Sequence, residues 1–400
     1  SGAGATPRGY KFSYDRLGRL TDAEYGEGPS LSVNTNRFNE QVTGYDKMGN
    51  ILGLKRYGQT SATGYDVIDD LSLSYAGNRL KKVADRSGTS AFNNGFEFKD
   101  GIDLSTEYEY DENGNLTKDL NKKKTAIQYN CLNLPSRVMF ANGNSISYLY
   151  DAAGRKLRTV HFLEGDSVTT DYCGNVVYEN GVPQILLTEV GYVSLTDGKY
   201  HYYLKDHQGN NRVVVDEEGT VEEVNDYYAF GGLMSTSSRQ SVQPYKYNGK
   251  ELDRKGGLDW YDYGARMYDA ALGRFMKTDR FSEKYVSLSP YQYGANNPVN
   301  NIDVNGDSLL LNKTSVAEAM LAIYNGLEDG TNIKMKFNNG VLDPTSIEAH
   351  AKVTSDFFLQ DLYEIATNEK MVELSVSDKN TFIMNGQIIS ESFIAPEDYN

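Results

Sequence analysis

Tyr110-Asp111-Glu112-Asn113-Gly114-Asn115-Leu116 carries the pattern that decides the fold. Its Asp-x-x-Gly centre has a turn mechanism. An aspartate opening a turn accepts nearby backbone N–H groups on its carboxylate. A glycine at the fourth position takes positive φ without a Cβ clash. Asn115 follows the glycine and can cap the same turn. On either side the residues alternate in the β manner, as in Glu107-Tyr108-Glu109-Tyr110 and Ser145-Ile146-Ser147-Tyr148-Leu149-Tyr150.

The unit recurs. Copies read YDRLGRL from Tyr14 to Leu20, YDKMGNI from Tyr45 to Ile51, YAGNRL from Tyr75 to Leu80 and YDAAGRKL from Tyr150 to Leu157. Weaker copies start at Tyr129 and Tyr172. Where they are densest they lie about 20 residues apart, room for two strands and two turns. Chained hairpins of this kind predict a long antiparallel ribbon, with tyrosines stacked across strands. At ~4.8 Å per strand, about 20 strands give a sheet path on the order of 100 Å. Polar residues on both faces predict a single layer that closes only by winding round a space. Taken one by one, the copies are simply hairpin turns beside aromatic strands.

Composition agrees with thin β-structure. The chain has 400 residues, with Tyr 31 and Gly 38 against Trp 1 and Pro 9. Mean hydropathy is −0.56, yet aromatics reach 12%, too many for a disordered chain. Tyrosine supplies apolar area and tolerates water at its hydroxyl end. The net charge of −15 argues against nucleic acid as a partner, because phosphates need cations. Cys131 and Cys173 are the only cysteines, too few for a zinc site and readable as two free thiols. No metal and no cofactor is expected. No apolar run reaches about 18 residues, so no membrane span is expected. The first residues show no charged segment followed by an apolar one. They enter a repeat at once, which predicts that the chain begins inside a larger protein.

A second run of motifs follows the repeats. It comprises Tyr202-Tyr203-Leu204-Lys205-Asp206-His207-Gln208-Gly209-Asn210, Tyr228-Ala229-Phe230-Gly231 and Tyr247-Asn248-Gly249-Lys250-Glu251. Next come Leu258 to Tyr268 (LDWYDYGARMY), Gly273-Arg274-Phe275, Thr278-Asp279, Tyr291-Gln292-Tyr293, Asn297-Pro298 and Ile302-Asp303. Together with the YD copies, the order and spacing resemble Rhs proteins, toxin-complex C components and teneurins. The second run resembles the Rhs-associated core. The dialect, with RYG at Arg56, NGKELD at Asn248 and YQYGANNPV at Tyr291, resembles Bacteroides-type versions.

The resemblance implies a fold and a function. Residues 1–230 would form a YD-repeat sheet curving into part of a hollow shell. Residues 231–306 would form the core that plugs it. Residues 307–400 would form a variable α+β domain, a toxin or a truncated one. The whole would be the C-terminal part of a longer polymorphic toxin, secreted or on the cell surface. Its partners would be its own C-terminal effector domain, an immunity protein encoded nearby and a secretion apparatus. The resemblance also implies intramolecular aspartyl-type autoproteolysis by Asp279 and Asp303 with Arg266 assisting. In such a pair one carboxylate activates water and the other protonates the leaving group.

Two departures bear on that site. Arg280 follows Asp279 where the family has proline, and an adjacent cation favours the ionised carboxylate. Asp307 follows Gly306, where an apolar residue usually precedes the cut. The sequence leaves open an active site, cutting just after Gly306 or within the next few residues, and a relic of turn aspartates. His207 reads as a structural hydrogen-bonding residue. Gly231-Gly232 and Gly256-Gly257 read as turn glycines, since no phosphate-loop, HExxH, CxxC or GxSxG motif appears.

After Asp307 helical periodicity appears, with helices expected from Thr314 and from Asp343, and strands at Ile333–337, Met371–376 and Thr381–384. Glu348, His350, Asp356 and Asp361 there read as helix-surface charge. Three readings of the chain result: a toxin shell with enclosed cargo, a structural or adhesive surface repeat protein, and a stand-alone enzyme using the tail.

Overall fold

A computed structural model describes residues 6–238, 243–286 and 288–307, and beyond them the short strands 309–311, 337–338, 341–342, 372–373, 381–384 and 387–390. The chain divides into two compact units, Ser1–Leu310 and Leu311–Asn400. In the second unit the described strands include Val372–Glu373, Thr381–Met384 and Gln387–Ser390, paired antiparallel. The helices expected from Thr314 and Asp343 lie outside the described residues.

The first unit is mainly β, and in its three larger sheets each strand pairs antiparallel with its neighbour in sequence. A six-stranded sheet runs from Arg8–Tyr14 to Arg79–Asp85. A thirteen-stranded sheet runs from Tyr108–Tyr110 to Val221–Val224. The single ribbon expected from the repeats is therefore broken once. Between the two sheets the chain leaves the β-ladder and buries Phe96 and Phe98 in the core. Their N–H groups donate to the Leu233 carbonyl at 2.8 Å and to Asp69 Oδ1 at 2.9 Å.

The Asp-x-x-Gly copies share one turn chemistry. In the copy at Asp46, the Gly49 N–H donates to the Asp46 carbonyl, and the N–H groups of Met48 and Asn50 donate to Asp46 Oδ1. The residue after the glycine closes the turn from its side chain onto the second carboxylate oxygen. Arg19, Asn50, Asn115 and Arg155 all do so, at 2.7–2.8 Å. The weak copy at Asn130 keeps the geometry with Asn133 at φ 56° in place of glycine. Asp206-His207-Gln208-Gly209-Asn210 adopts the same turn, although its sequence looks like the start of the core. His207 Nε2 lies 3.3 Å from the Val299 carbonyl, a structural contact.

Some aromatic rings meet across strands as expected: Tyr10 packs edge to face on Tyr25 with ring centres 5.8 Å apart, and Tyr192 stacks on His201 at 4.4 Å. Several repeat tyrosines also donate their hydroxyl to the backbone carbonyl that ends an earlier repeat. Tyr45 bonds Leu20, Tyr75 bonds Ile51 and Tyr129 bonds Leu116, at 2.6–2.7 Å. Their rings pack against one hydrophobic core, so the polar tip is satisfied and the body covered.

The sheets are not bare on both faces. Leu20, Leu54, Leu71, Val83, Leu116, Val138 and Ile146 of the repeats share one buried cluster with Phe230, Trp260, Tyr261, Tyr263, Tyr268, Phe275 and Tyr293. The second layer missing from the sequence reading is thus the segment after residue 226. It contains a small four-stranded sheet from Glu251–Asp253 to Arg274–Phe275. Buried cations fasten it to the repeats. Lys122 pairs with Asp269 at 2.5 Å, and Lys156 with Glu251 at 2.7 Å and Asp262 at 2.6 Å. Lys124 donates to the Leu258 carbonyl at 3.0 Å and lies 3.9 Å from the Trp260 ring centre.

Gly114 joins the two layers. Its φ is +79°, its carbonyl accepts the Tyr291 hydroxyl at 2.8 Å, and an added Cβ would lie 2.7 Å from the Thr278 methyl. Gly18 has φ +73° but open space around it. Gly18→Ala should therefore cost only the left-handed conformation, about 1–2 kcal/mol. Gly114→Ala should cost more, because Thr278 and Tyr291 must move. Urea midpoints of the two variants check this, and equal losses would contradict it.

Candidate functional site

Arg266 follows the turn Asp262-Tyr263-Gly264-Ala265, in which Gly264 has φ +85° and donates its N–H to Asp262 Oδ1 at 2.7 Å. The turn is tied to the end of the first unit by the Ala265 N–H, which donates to the Asn305 carbonyl at 2.9 Å. Arg266 is thereby aimed into the core, 2% exposed, with its guanidinium 3.7 Å from the Phe275 ring centre.

The three residues singled out in the sequence meet there. Arg266 Nη2 lies 2.8 Å from Asp279 Oδ2 and 3.0 Å from Asp303 Oδ2. Its Nε donates to the Gly306 carbonyl and its Nη1 to the Pro290 carbonyl at 3.1 Å. The backbone completes the cluster. The Gly306 N–H donates to Asp303 Oδ1 at 2.6 Å, the Phe281 N–H to Asp279 Oδ1 at 2.8 Å, and the Asp279 N–H to the Pro290 carbonyl at 2.9 Å. Gly306 is required twice over. Its φ is +79°, and a Cβ would sit 2.9 Å from the Arg266 backbone nitrogen.

Burial sets the electrostatics. It pushes the Asp279 carboxyl above its usual value, against the opposing pull of Arg266 and the Phe281 N–H. Arg280 was expected to hold Asp279 ionised, but its effect is the smallest, because its guanidinium points to Asp307 instead, at 2.5 Å. Burial likewise draws the Lys277 ammonium down to about 8, helped by Arg266, and lowers Lys250. Lys250 donates to the Val304 carbonyl, fixing the strand that carries Asp303. A cavity of about 680 Å³ adjoins the cluster, lined among others by Asn133, Tyr150, Asp262, Lys277 and Asp307.

The sequence located Arg266, Asp279, Asp303 and Gly306 but missed Lys250, the Pro290 carbonyl and the Arg280–Asp307 pair. Lys250 stood within a quoted motif. Nothing in the spacing of the other two could have announced them. Among the described residues no group of three or more His, Cys, Asp or Glu could hold a metal ion. Among them no helix is long and apolar enough to cross a membrane.

Fold and cluster together define a Tyr-Asp repeat sheet carrying a buried arginine between two aspartates and a glycine carbonyl. No family model matches the chain. Among curated proteins it is similar to salivary gland surface protein 1 of Aedes aegypti, 29% identical over 249 residues, 56% of this chain and 7% of that protein. It is also similar to the tRNA3(Ser)-specific nuclease WapA of Bacillus spizizenii, 26% identical over 331 residues, 79% of this chain and 11% of that protein. The tRNA nuclease WapA of Bacillus subtilis matches over the same length at 25% identity. Of solved structures, the complex TcdB2-TccC3-Cdc42 shares the fold, with TM-score 0.50 and 18% identity over 74% of this chain and 17% of that one. The chain spans about a tenth of the length of the curated proteins it matches.

Proposed function

We propose that this chain is the wall and plug of a secreted, Bacteroides-type Rhs polymorphic toxin, which encloses a C-terminal effector and cuts itself after Gly306. In this reading residues 1–230 are the shell wall, 231–306 the autoprocessing core and 307–400 the cargo. An immunity protein and a secretion apparatus are its outside partners. The observation that carries the reading is Arg266 bonded at once to both aspartates and to the Gly306 carbonyl.

The chemistry follows from that arrangement. Arg266 Nε polarises the Gly306 carbonyl and would meet the negative charge that develops on its oxygen. Ionised Asp303 takes a proton from water as the water oxygen bonds the Gly306 carbon. Asp279, which burial keeps protonated more readily, gives its proton to the Asp307 nitrogen as the C–N bond breaks. The products are a Gly306 carboxylate and an Asp307 amine, with the proton account closed across the pair.

Mass spectrometry of the purified full-length chain tests this. The expected result is one fragment ending at Gly306 and one starting at Asp307; a chain that stays whole overturns the cutting step. The rate should also depend on pH. The acid is lost as pH rises through the elevated Asp279 value, so chain refolded at about pH 5 should be cut faster than at about pH 8. A rate that rises with pH would contradict this assignment of acid and base.

A second reading, a surface repeat protein without active cargo, is favoured by the likeness to the salivary gland surface protein. Killing of cells by expressed residues 307–400, relieved by the neighbouring gene product, separates the two.

A further inference from the structure

The two places where the chain departs from the Rhs-type pattern meet in space. Arg280 Nη2 lies 2.5 Å from Asp307 Oδ2, with the arginine side chain 64% exposed and the aspartate 2%. A buried carboxylate needs a counter-charge. The other cations nearby are committed elsewhere: Arg266 to Asp279 and Asp303, Lys277 to the Asn133 carbonyl at 2.8 Å, and Lys250 to the Val304 carbonyl. Arg280 is thus the cation that the structure pairs directly with the Asp307 carboxylate.

Their positions along the chain give the pair a use. Arg280 is bonded to Asp279, the group assigned to protonate the leaving nitrogen. Asp307 owns that nitrogen. An ion pair between the two side chains therefore ties the leaving residue to the residue beside its proton donor. It acts from the exposed side of the cluster, bordering the cavity that Arg280, Lys277 and Asp307 all line.

Resting on the cutting step proposed above, we infer that Arg280 is a positioning and specificity residue for the Gly306–Asp307 bond. It orients the leaving amine by clamping the side chain of residue 307, and so selects an acidic residue there. Arg280 itself exchanges no proton with the reacting atoms.

The test measures cutting of the full-length chain during refolding, by gel and mass spectrometry. Arg280→Ala should slow it by about tenfold, and Asp307→Leu by a similar factor. Arg280→Lys should keep most of the rate. The swap Arg280→Asp with Asp307→Arg should be faster than either single reversal. Arg280→Ala takes the ion-pair partner from the buried Asp307 carboxylate and should lower the urea midpoint. The control is therefore Arg280→Ala with Asp307→Asn, which buries no charge there. A double variant with the parental midpoint that is cut at the parental rate overturns the inference. So does Arg280→Ala cut as fast as the parent, or a swap no better than its singles. A parent chain that is never cut overturns this inference and the cutting step together, whereas a cut parent with indifferent Arg280 variants overturns the inference alone.

Discussion

Asp303→Asn should leave the full-length chain whole on the timescale in which the parent is cut. The substitution is close to isosteric. An amide oxygen at Oδ1 still accepts the Gly306 N–H, now at 2.6 Å, so the loop before the bond keeps its shape. What disappears is the negative charge that pairs with Arg266 at 3.0 Å and the basicity that takes a proton from water. General acid–base groups contribute roughly 10²–10⁴-fold to rate, and the loss should fall in that range. Asp279→Asn should lose a comparable factor from the acid side. Arg266→Lys should also be slow, since one ammonium cannot reach two carboxylates and two carbonyls in the way a guanidinium fork does. Time courses after refolding, read by mass spectrometry, decide the matter. If Asp303→Asn is cut at the parent rate, the carboxylate pair has no part in the chemistry.

How much of this was legible follows from the range of each interaction. The turn was readable because it closes within five residues: Asp46, Gly49 and Asn50 carry all its parts. The strands were readable because alternation is local. The role of the tyrosines was readable only in part: rings meet across strands at Tyr10 and Tyr25, but the hydroxyls reach the end of another repeat, 25 residues back for Tyr45. The break between the sheets was missed for a similar reason. Phe96 and Phe98 leave the ladder to fill a core built by residues that come more than a hundred positions later. For the site, resemblance supplied Arg266, Asp279 and Asp303, and only folding could place them, since Arg266 and Asp303 are 37 positions apart. The same physics explains the Arg280–Asp307 pair. Each residue alone looked like a defect, and their complementarity exists only in three dimensions. Residues with no motif at all were the hardest. Arg56 stood in the sequence only as part of a dialect word, yet it is among the most deeply buried cations in the molecule.

Arg56→Ala should cost about 3–5 kcal/mol, the usual consequence of removing one member of a buried ion cluster. Arg56 is 1% exposed and every branch of its guanidinium is used. Nε bonds Glu40 Oε1 at 2.6 Å, Nη1 bonds Asp69 Oδ2 at 2.8 Å, and Nη2 bonds the Ala270 and Ala271 carbonyls at 2.9 and 2.8 Å. The two carboxylates carry the network further. Glu40 accepts the Phe230 N–H and Asp69 the Phe98 N–H, each at 2.9 Å. One side chain therefore joins three strands of the first sheet to two separate pieces of the layer that covers it and, through Asp69, to the Phe98 stretch between the sheets. Without it two carboxylates remain buried and two carbonyls lose their donor. Burial already pushes the Asp69 carboxyl up to about 6 with Arg56 in place, and removal drives it higher. A folded-state value above the unfolded one means the folded state binds more protons in between, so stability falls as pH rises through that window. The variant should therefore be relatively less stable at about pH 8 than at about pH 5. Adding Glu40→Gln and Asp69→Asn to Arg56→Met should recover much of the loss, since the amides still accept both N–H groups and no charge stays buried. Urea unfolding of the full-length chain at both pH values measures this. A loss below about 1 kcal/mol, in the range of a surface pair, would mean that the covering layer is held to the repeats by apolar packing and not by this arginine.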